Sequence, residues 1–396
     1  MIKIPKVYLS LELNRAYGRS LIRGITQYSK LYGPWNLYMG TPYYYRRSKR
    51  EESSLAEVIK WHPDGIIMRE DPEIDKVKDL GIPIIFSTYT TTQISGFVSL
   101  VGDHENPGRL AAEHFLERGF KHFAYCGISN SYWSACRGER FCKWIVKAGY
   151  DVNSFPSTRL KSKVALKADN EELMRWLHDL PKPVAIMTCT DERSMNVVEA
   201  CRAVRLHVPE EVALVGVDND ELLCEAVNPS LSSIAIDGCK AGYQAAETLD
   251  KLMKGRSCNI DKPIIAQATH VVVRQSSNIF AVEDSTTRTA LQYISANARQ
   301  AIQVKDVAHA CGLSVRALQK KFKFCLNKSI SDEIDRIRID LICRLLAETD
   351  RKISQIFLDF DFVTQGHFSR YFRRLKNMSP KMYRKKYGES KKNTPY

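Results

Sequence analysis

The sequence predicts a two-lobed α/β protein, with parallel sheets flanked by helices, followed by a C-terminal all-α domain holding two helix-turn-helix motifs. Three observations predict it. Residues 4 to 273 alternate short apolar strand patterns with helical ones, as parallel sheets built from βαβ units do, and the stretch is long enough for two lobes. The segment from about Ile302 to Tyr387 repeats one helical layout twice, about fifty residues apart. Finally, charge is segregated: Ser285 to Tyr396 hold 23 Lys and Arg against 10 Asp and Glu, whereas the first 284 residues hold 36 against 35. Nearly all of the net +14 therefore sits on the helical end, the footprint of a phosphate-binding domain.

Apolar runs bounded by turn residues place strands at Val7 to Leu13, Trp35 to Met39, Gly65 to Met68, Pro83 to Ser87, Val98 to Val101, His122 to Cys126, Val184 to Thr188, Val212 to Val217 and Ser232 to Ile236. Helical spacing places helices at Arg19 to Leu31, Pro107 to Arg118, Arg140 to Lys147, Glu192 to Val204 and Lys240 to Met253. Residues 1 to 274 then form the two lobes, with crossovers near 101 to 105 and 233 to 238. A polar stretch without periodicity, 275 to 287, reads as a linker, and 288 to 390 as the helical domain.

Ligands of open parallel sheets bind outside the carboxyl ends of the strands. Those ends carry Asn14, Arg15, Tyr17, Arg19, Asp103, Trp133, Arg137, Asp191, Asp218 and Asn219. Carboxylates, amides and guanidinium groups with a few rings suit a polyhydroxylated ligand, planar groups bonding paired hydroxyls while rings cover C–H faces. Each has a plainer alternative: Asp103 and Asp191 would equally cap the helices that follow them, Trp133 would be half-buried core and Arg15 solvated. Asp191 and Asp218 would also suit a glycosidase, but no motif sets their separation or raises one pKa, so binding rather than turnover is expected.

In the helical domain, Val304, Val307 and Ala308 make a short apolar face, Gly312 suits a turn and Ser314 a cap. Leu318 and Phe322 then face inward, leaving Arg316, Gln319, Lys320 and Lys323 outward as long donors that reach base edges and phosphates. The second unit repeats this with Ile353, Ile356 and Phe357, a turn at Asp361 to Val363, Thr364 as cap, and a stripe of Phe368, Phe372 and Leu375. Gln365, His367, Ser369, Arg370 and Arg373 lie on its flanks and outer face. Ile330 to Ala347 reads as a rigid helix between the two units. A plain basic bundle with solvated charges would explain one such unit more readily than two in register.

No phosphate-binding glycine loop, zinc-protease pair or nucleophile elbow occurs, so no cofactor, metal or enzymatic activity is expected. The 11 cysteines lack metal spacing and mostly sit in apolar patterns, which fits a reducing cytoplasm. The first residues are too short for a signal-peptide core and no long apolar run follows, so no membrane partner is expected.

The spacing A-x3-G-L-S-x3-L-x3-F, the R-I-x5-L-L-A helix, H-F-S-R-x-F-R-R and S-P-x-x-Y-R resemble the AraC/XylS-family DNA-binding domain over roughly the last hundred residues. That family often has Gly where this chain has Asn327, Asp361 and Asn377, which tolerate left-handed backbone better than other side chains. The resemblance implies two recognition helices in successive major grooves of double-stranded DNA, roughly 34 Å apart. GDHENPGRLAAEHFLERGFKHFAYCG, W-x3-R-x3-F, CTDERSMNVVEAC and VALVGVDNDEL resemble the LacI-type, periplasmic-binding-protein-like effector domain. An AraC-type end on such a sensor, with LELNRAYGRSLIRGI and GYQAAETL, is similar to the xylose operon regulators. That resemblance implies a xylose-like sugar held by Arg137, Asp191 and Asp218 under the Asn14 to Arg19 loop, and a homodimer; activation of transcription with contact to RNA polymerase is the expectation, and a different sugar or repression the alternative.

Overall fold

A computed structural model describes residues 3–40, 60–70, 74–89, 93–129, 131–155, 163–282, 284–326, 328–349 and 351–387. They contain strands β1 (Lys6–Ser10), β2 (Asn36–Met39), β3 (Gly65–Arg69), β4 (Ile84–Ser87), β5 (Val98–Gly102), β6 (His122–Cys126), β7 (Val152–Ser154), β8 (Val184–Thr188), β9 (Val212–Asp218), β10 (Ser232–Ile236), β11 (Ile264–Ala266) and β12 (Ala268–Val272). Between them lie α1 (Ala16–Tyr32), α2 (Ile74–Lys78), α3 (Asn106–Glu117), α4 (Tyr132–Lys147), α5 (Lys163–Asp179), α6 (Asp191–Ala203), α7 (Glu221–Ala226) and α8 (Gly238–Met253). Contacts divide the chain into two units, Met1–Glu113 with His122–Ser277, and His114–Lys121 with Asn278–Tyr396.

The first unit is built on two six-stranded sheets, ordered β11-β5-β4-β3-β1-β2 and β12-β10-β9-β8-β6-β7. Every pairing is parallel except β10 with β12. Parallel strands covered on both faces need continuous apolar runs, and β3, β4 and β8 are buried almost throughout. The chain passes between the sheets at 103–105, between β10 and α8, and at Gln267 between β11 and β12. The third passage was not expected, because Ile264 to Val272 does not separate into two strands by pattern alone. Helix α8 returns to the first lobe, where Ala241, Ala245 and Leu249 share a core with Leu21 and Ile25 of α1. The two helices touch closely: a Cβ on Gly24 would stand 1.9 Å from the Cys239 carbonyl oxygen, and one on Gly242 2.0 Å from that of Leu21.

The expected linker is occupied from both ends. Gln275–Ser277 form a 3-10 turn, in which the Ser276 hydroxyl donates to the Leu214 carbonyl at 2.9 Å. At the other end the Asp284 carboxylate caps the next helix, accepting from the Thr287 N–H at 2.7 Å.

The second unit holds α9 (Ser285–Ala296), α10 (Val304–Ala310), α11 (Val315–Leu326), α12 (Ile330–Glu348), α13 (Ile353–Asp359), α14 (Gln365–Lys376) and α15 (Pro380–Tyr387). Two cores share the central helix α12. Its Ile330 and Ile334 join Val307, Ala308, Leu318 and Phe322, while its Ile339, Ile342 and Leu346 join Ile356, Phe368 and Phe372. Each fully buried Phe contributes roughly 1.5–3 kcal/mol by removal from water. Arg338 of α12 ties the halves together, donating to the carbonyls of Gln300 and Phe360. Left-handed backbone falls at Gly312 (φ 65°), Asp361 (52°) and Asn377 (54°); Asn327 lies outside the described residues. No helix among the described residues is long and apolar enough to cross a membrane.

Candidate functional site

The carboxyl ends of both sheets face one cleft, which holds about 730 Å³ of space free of protein atoms. The first lobe contributes Glu12 just past β1, Arg15 and Tyr17 at the start of α1, Arg69 ending β3, Ser87 to Tyr89 at the end of β4, and Asp103 with His104 after β5. Across the cleft stand Trp133 and Arg137 of α4, Thr190 after β8, Asp218 ending β9 and Ile236 ending β10.

The guanidinium groups in this cleft each stand beside a carboxylate. Arg69 bonds Glu12 and lies 4.2 Å from the centre of the Tyr89 ring. Arg137 donates to the Cys189 carbonyl at 2.5 Å and to Asp218 at 3.3 Å, with the Trp133 ring 5.3 Å away. Arg15 stands 3.4 Å from Glu192. Burial raises the pKa of Asp218 against the opposing pull of Arg137, and burial, helped by Arg137, pushes His104 down to about 4, so its imidazole is neutral.

Four buried polar atoms of cleft residues have no hydrogen-bond partner among the described residues: Tyr17 Oη, Thr88 Oγ1, His104 Nδ1 and Arg137 Nε. A buried polar group left unsatisfied costs about 1–3 kcal/mol. Four converging on one cavity make it a site for a polar ligand.

Of the residues expected from the sequence, Arg15, Tyr17, Asp103, Trp133, Arg137 and Asp218 line the cavity, and Asn14, Arg19, Asp191 and Asn219 do not. Asn14 is exposed. Arg19 pairs with Asp220 at 2.6 Å, and the Asn219 side-chain oxygen accepts from Arg274 at 2.9 Å. Asp103 is both cap and lining residue. One carboxylate oxygen accepts the N–H groups of Glu105 and Asn106 at 3.1 and 3.0 Å, and the other accepts the Ala268 N–H at 3.1 Å. Asp191 is 1 % exposed. It accepts from the Ser233 hydroxyl at 2.5 Å and the Asp220 N–H at 2.8 Å. Burial, with Asp218 adding, holds its pKa well above the usual carboxylate range. With both oxygens engaged and no place in the lining, Asp191 does not form a glycosidase pair with Asp218. Glu12, Arg69, Thr88, Tyr89 and His104 were not anticipated.

In the second unit, α11 and α14 occupy the positions of the two recognition helices. Ser314 accepts from the Ala317 N–H at 3.2 Å and Thr364 from the His367 N–H at 3.1 Å, the two expected caps. Ser314, Arg316, Gln319, Lys320, Lys323, Thr364, Gln365, His367, Arg370 and Arg373 are all exposed. Arg316, Lys320, Arg370 and Arg373 make no ion pair among the described residues.

Fold and sites together define a DNA-binding transcriptional regulator with a ligand-sensing domain. Residues 112–277 match a periplasmic binding protein-like domain, and residues 307–386 a helix-turn-helix domain. The chain is 27 % identical to the xylose operon regulatory protein of Haemophilus influenzae, over 96 % of this chain and 98 % of that one. It is 25 % identical to the protein of the same name from Escherichia coli K12, over 96 % and 97 %. A solved structure of a xylose-binding transcription activator superposes with a TM-score of 0.61 at 23 % identity, covering 98 % of this chain and all of that one. In domain composition the chain therefore joins a periplasmic binding protein-like domain to a helix-turn-helix domain and is similar over nearly its whole length to the xylose operon regulatory proteins.

Proposed function

We propose that xylose or a closely related free sugar binds in the cleft of the first unit and, by favouring its closed form, changes how the second unit engages operator DNA. The observation that carries this reading is the set of four unpartnered polar atoms in a cleft whose guanidinium groups already have carboxylates. Such a site rewards hydroxyl groups and offers little to a phosphate or carboxylate. Arg15, Tyr17, Asp103, Trp133, Arg137 and Asp218 are the direct sugar contacts in this reading, joined by Glu12, Arg69, Thr88, Tyr89 and His104. Asp191, Asn219 and Arg19, each bonded to neighbouring side chains or backbone, support the walls. In this reading the effector domain ends near Ser277 and the DNA-binding domain takes up the chain from Asn278, rather than the two being separated by a free linker over 275–287.

The protein acts as a homodimer in the cytoplasm, activating transcription through contact with RNA polymerase. Pairing two sensors converts closure into a change in the placement of paired DNA modules. Eleven cysteines, none joined in a disulfide among the described residues, support a reducing compartment. The test is a thermal-shift and DNA-affinity series with pentoses and hexoses. A ligand that binds only the native state at a hundred times its Kd adds about 2.7 kcal/mol of stability. If no sugar moves either the melting temperature or DNA affinity, the sugar reading is wrong. Size-exclusion chromatography with light scattering decides the dimer.

A further inference from the structure

The second recognition helix opens on an apolar side chain that the unit leaves in water. Val363 is 88 % exposed, between buried Phe362 and the cap Thr364. Every residue from 363 to 367 is exposed, so the amino end of α14 stands clear of the core.

Its placement is nonetheless firm. The Phe362 ring packs 5.2 Å from those of Phe368 and Tyr371, with the Arg338 guanidinium at 4.9 Å. Arg338 also holds the Phe360 carbonyl, and the Asp361 carboxylate accepts the Ala301 N–H at 3.3 Å. Held on both sides, Val363 is presented outward with little freedom.

The first helix-turn-helix motif differs at the matching position. Leu313, immediately before the cap Ser314, is half-buried and packs against its unit's core. One motif therefore turns an apolar residue inward where the other turns one out, among the donors Gln365, His367 and Arg370. In the major groove, the apolar group that base edges offer is the thymine C5 methyl. We propose that Val363 contacts a thymine methyl in the half-site read by α14 and so selects thymine at that base pair. This rests on the reading of the second unit as DNA-binding.

The experiment uses the full chain with xylose. Duplexes are enriched from a randomised pool, then each thymine of the enriched site is replaced singly by uracil, which removes only the methyl. One replacement should weaken wild-type binding about fourfold, as for loss of one buried methyl group. Val363→Ala should lose a similar factor on the thymine duplex and show no further loss at that uracil. Its melting temperature should be unchanged. Wild-type indifference to every uracil overturns the contact, as does a Val363→Ala variant that still discriminates as wild type does. A chain that enriches no duplex overturns it together with the DNA reading beneath it.

Discussion

Arginine is used in opposite ways at the two ends of this chain. In the cleft Arg69, Arg137 and Arg15 each stand beside a carboxylate, and Arg137 is only 7 % exposed. On the recognition helices Arg316, Arg370 and Arg373 are exposed, with no ion pair among the described residues. A charge neutralised in advance is a rigid hydrogen-bonding fork, and a ligand bringing its own charge would have to break a buried pair to use it. An unpaired charge in water costs little to keep and gains on contact with a polyanion by releasing condensed counterions. In the proposed reading the same side chain thus serves an uncharged ligand in one place and a phosphate backbone in the other.

The sharpest way to break this comparison is Arg137→Ala, which strands Asp218 in the interior. Removing one partner of a buried pair costs about 3–5 kcal/mol, so the variant should melt far below wild type and lose its sugar-induced shift. A variant that keeps both would show that the pair does not organise the cleft. A phosphorylated pentose comes next: at concentrations where the free sugar adds about 2.7 kcal/mol, it should leave the melting temperature unmoved. An equal shift would mean that the paired arginines still accept an anion.

On the DNA side, Arg316→Ala and Arg370→Ala should each weaken binding by about 1–3 kcal/mol where the residue reads a base, and lower the salt slope by about 1 where it meets a phosphate. Filter binding at several salt concentrations checks both, and thermal stability should not change. Unaltered DNA affinity in the double variant would remove the recognition role from these arginines.

The smallest expected effect concerns Asp191, a carboxyl group with a raised pKa. A group whose folded pKa lies above its unfolded value adds stability that is complete below the ordinary carboxylate range and is lost as pH rises through the folded pKa. Asp191→Asn should therefore flatten the fall in stability as pH rises above the ordinary carboxylate range. A variant with the wild-type slope would place the titration elsewhere.

Much of this was legible in the sequence, because the signals were periodic. Strands such as His122–Cys126 and Val184–Thr188 are continuous apolar runs, and the paired helical units repeat the same stripe and cap. The cleft was half legible. The strand-end rule points to Arg137 and Asp218, and the ends of β3 and β4 add Arg69, Thr88 and Tyr89. Glu12 was hidden for another reason: the first strand was expected to continue to Leu13 and stops at Ser10, so a residue that faces the cleft was counted inside a strand. Asp191 carried the right chemistry in the right segment, yet two donors from distant parts of the chain, Ser233 and Asp220, occupy it. Sequence spacing holds no trace of contacts like these. The short strands β7 and β11 have three residues each, too few for any periodicity to register.

The carboxylate of Asp103, which joins the segment after β5 to the start of β12, has a mechanical consequence. Three strands of chain cross between the lobes, and two of them are stitched together at this residue. Such a joint resists twist and sliding while leaving rotation about the line of crossings as the soft motion. In the proposed reading, the closure that a bound molecule favours would follow that line. Tyr89 and Trp133 line the cleft apart from this joint, so in the same reading substitutions there would alter which molecule fits without touching the Asp103 contacts.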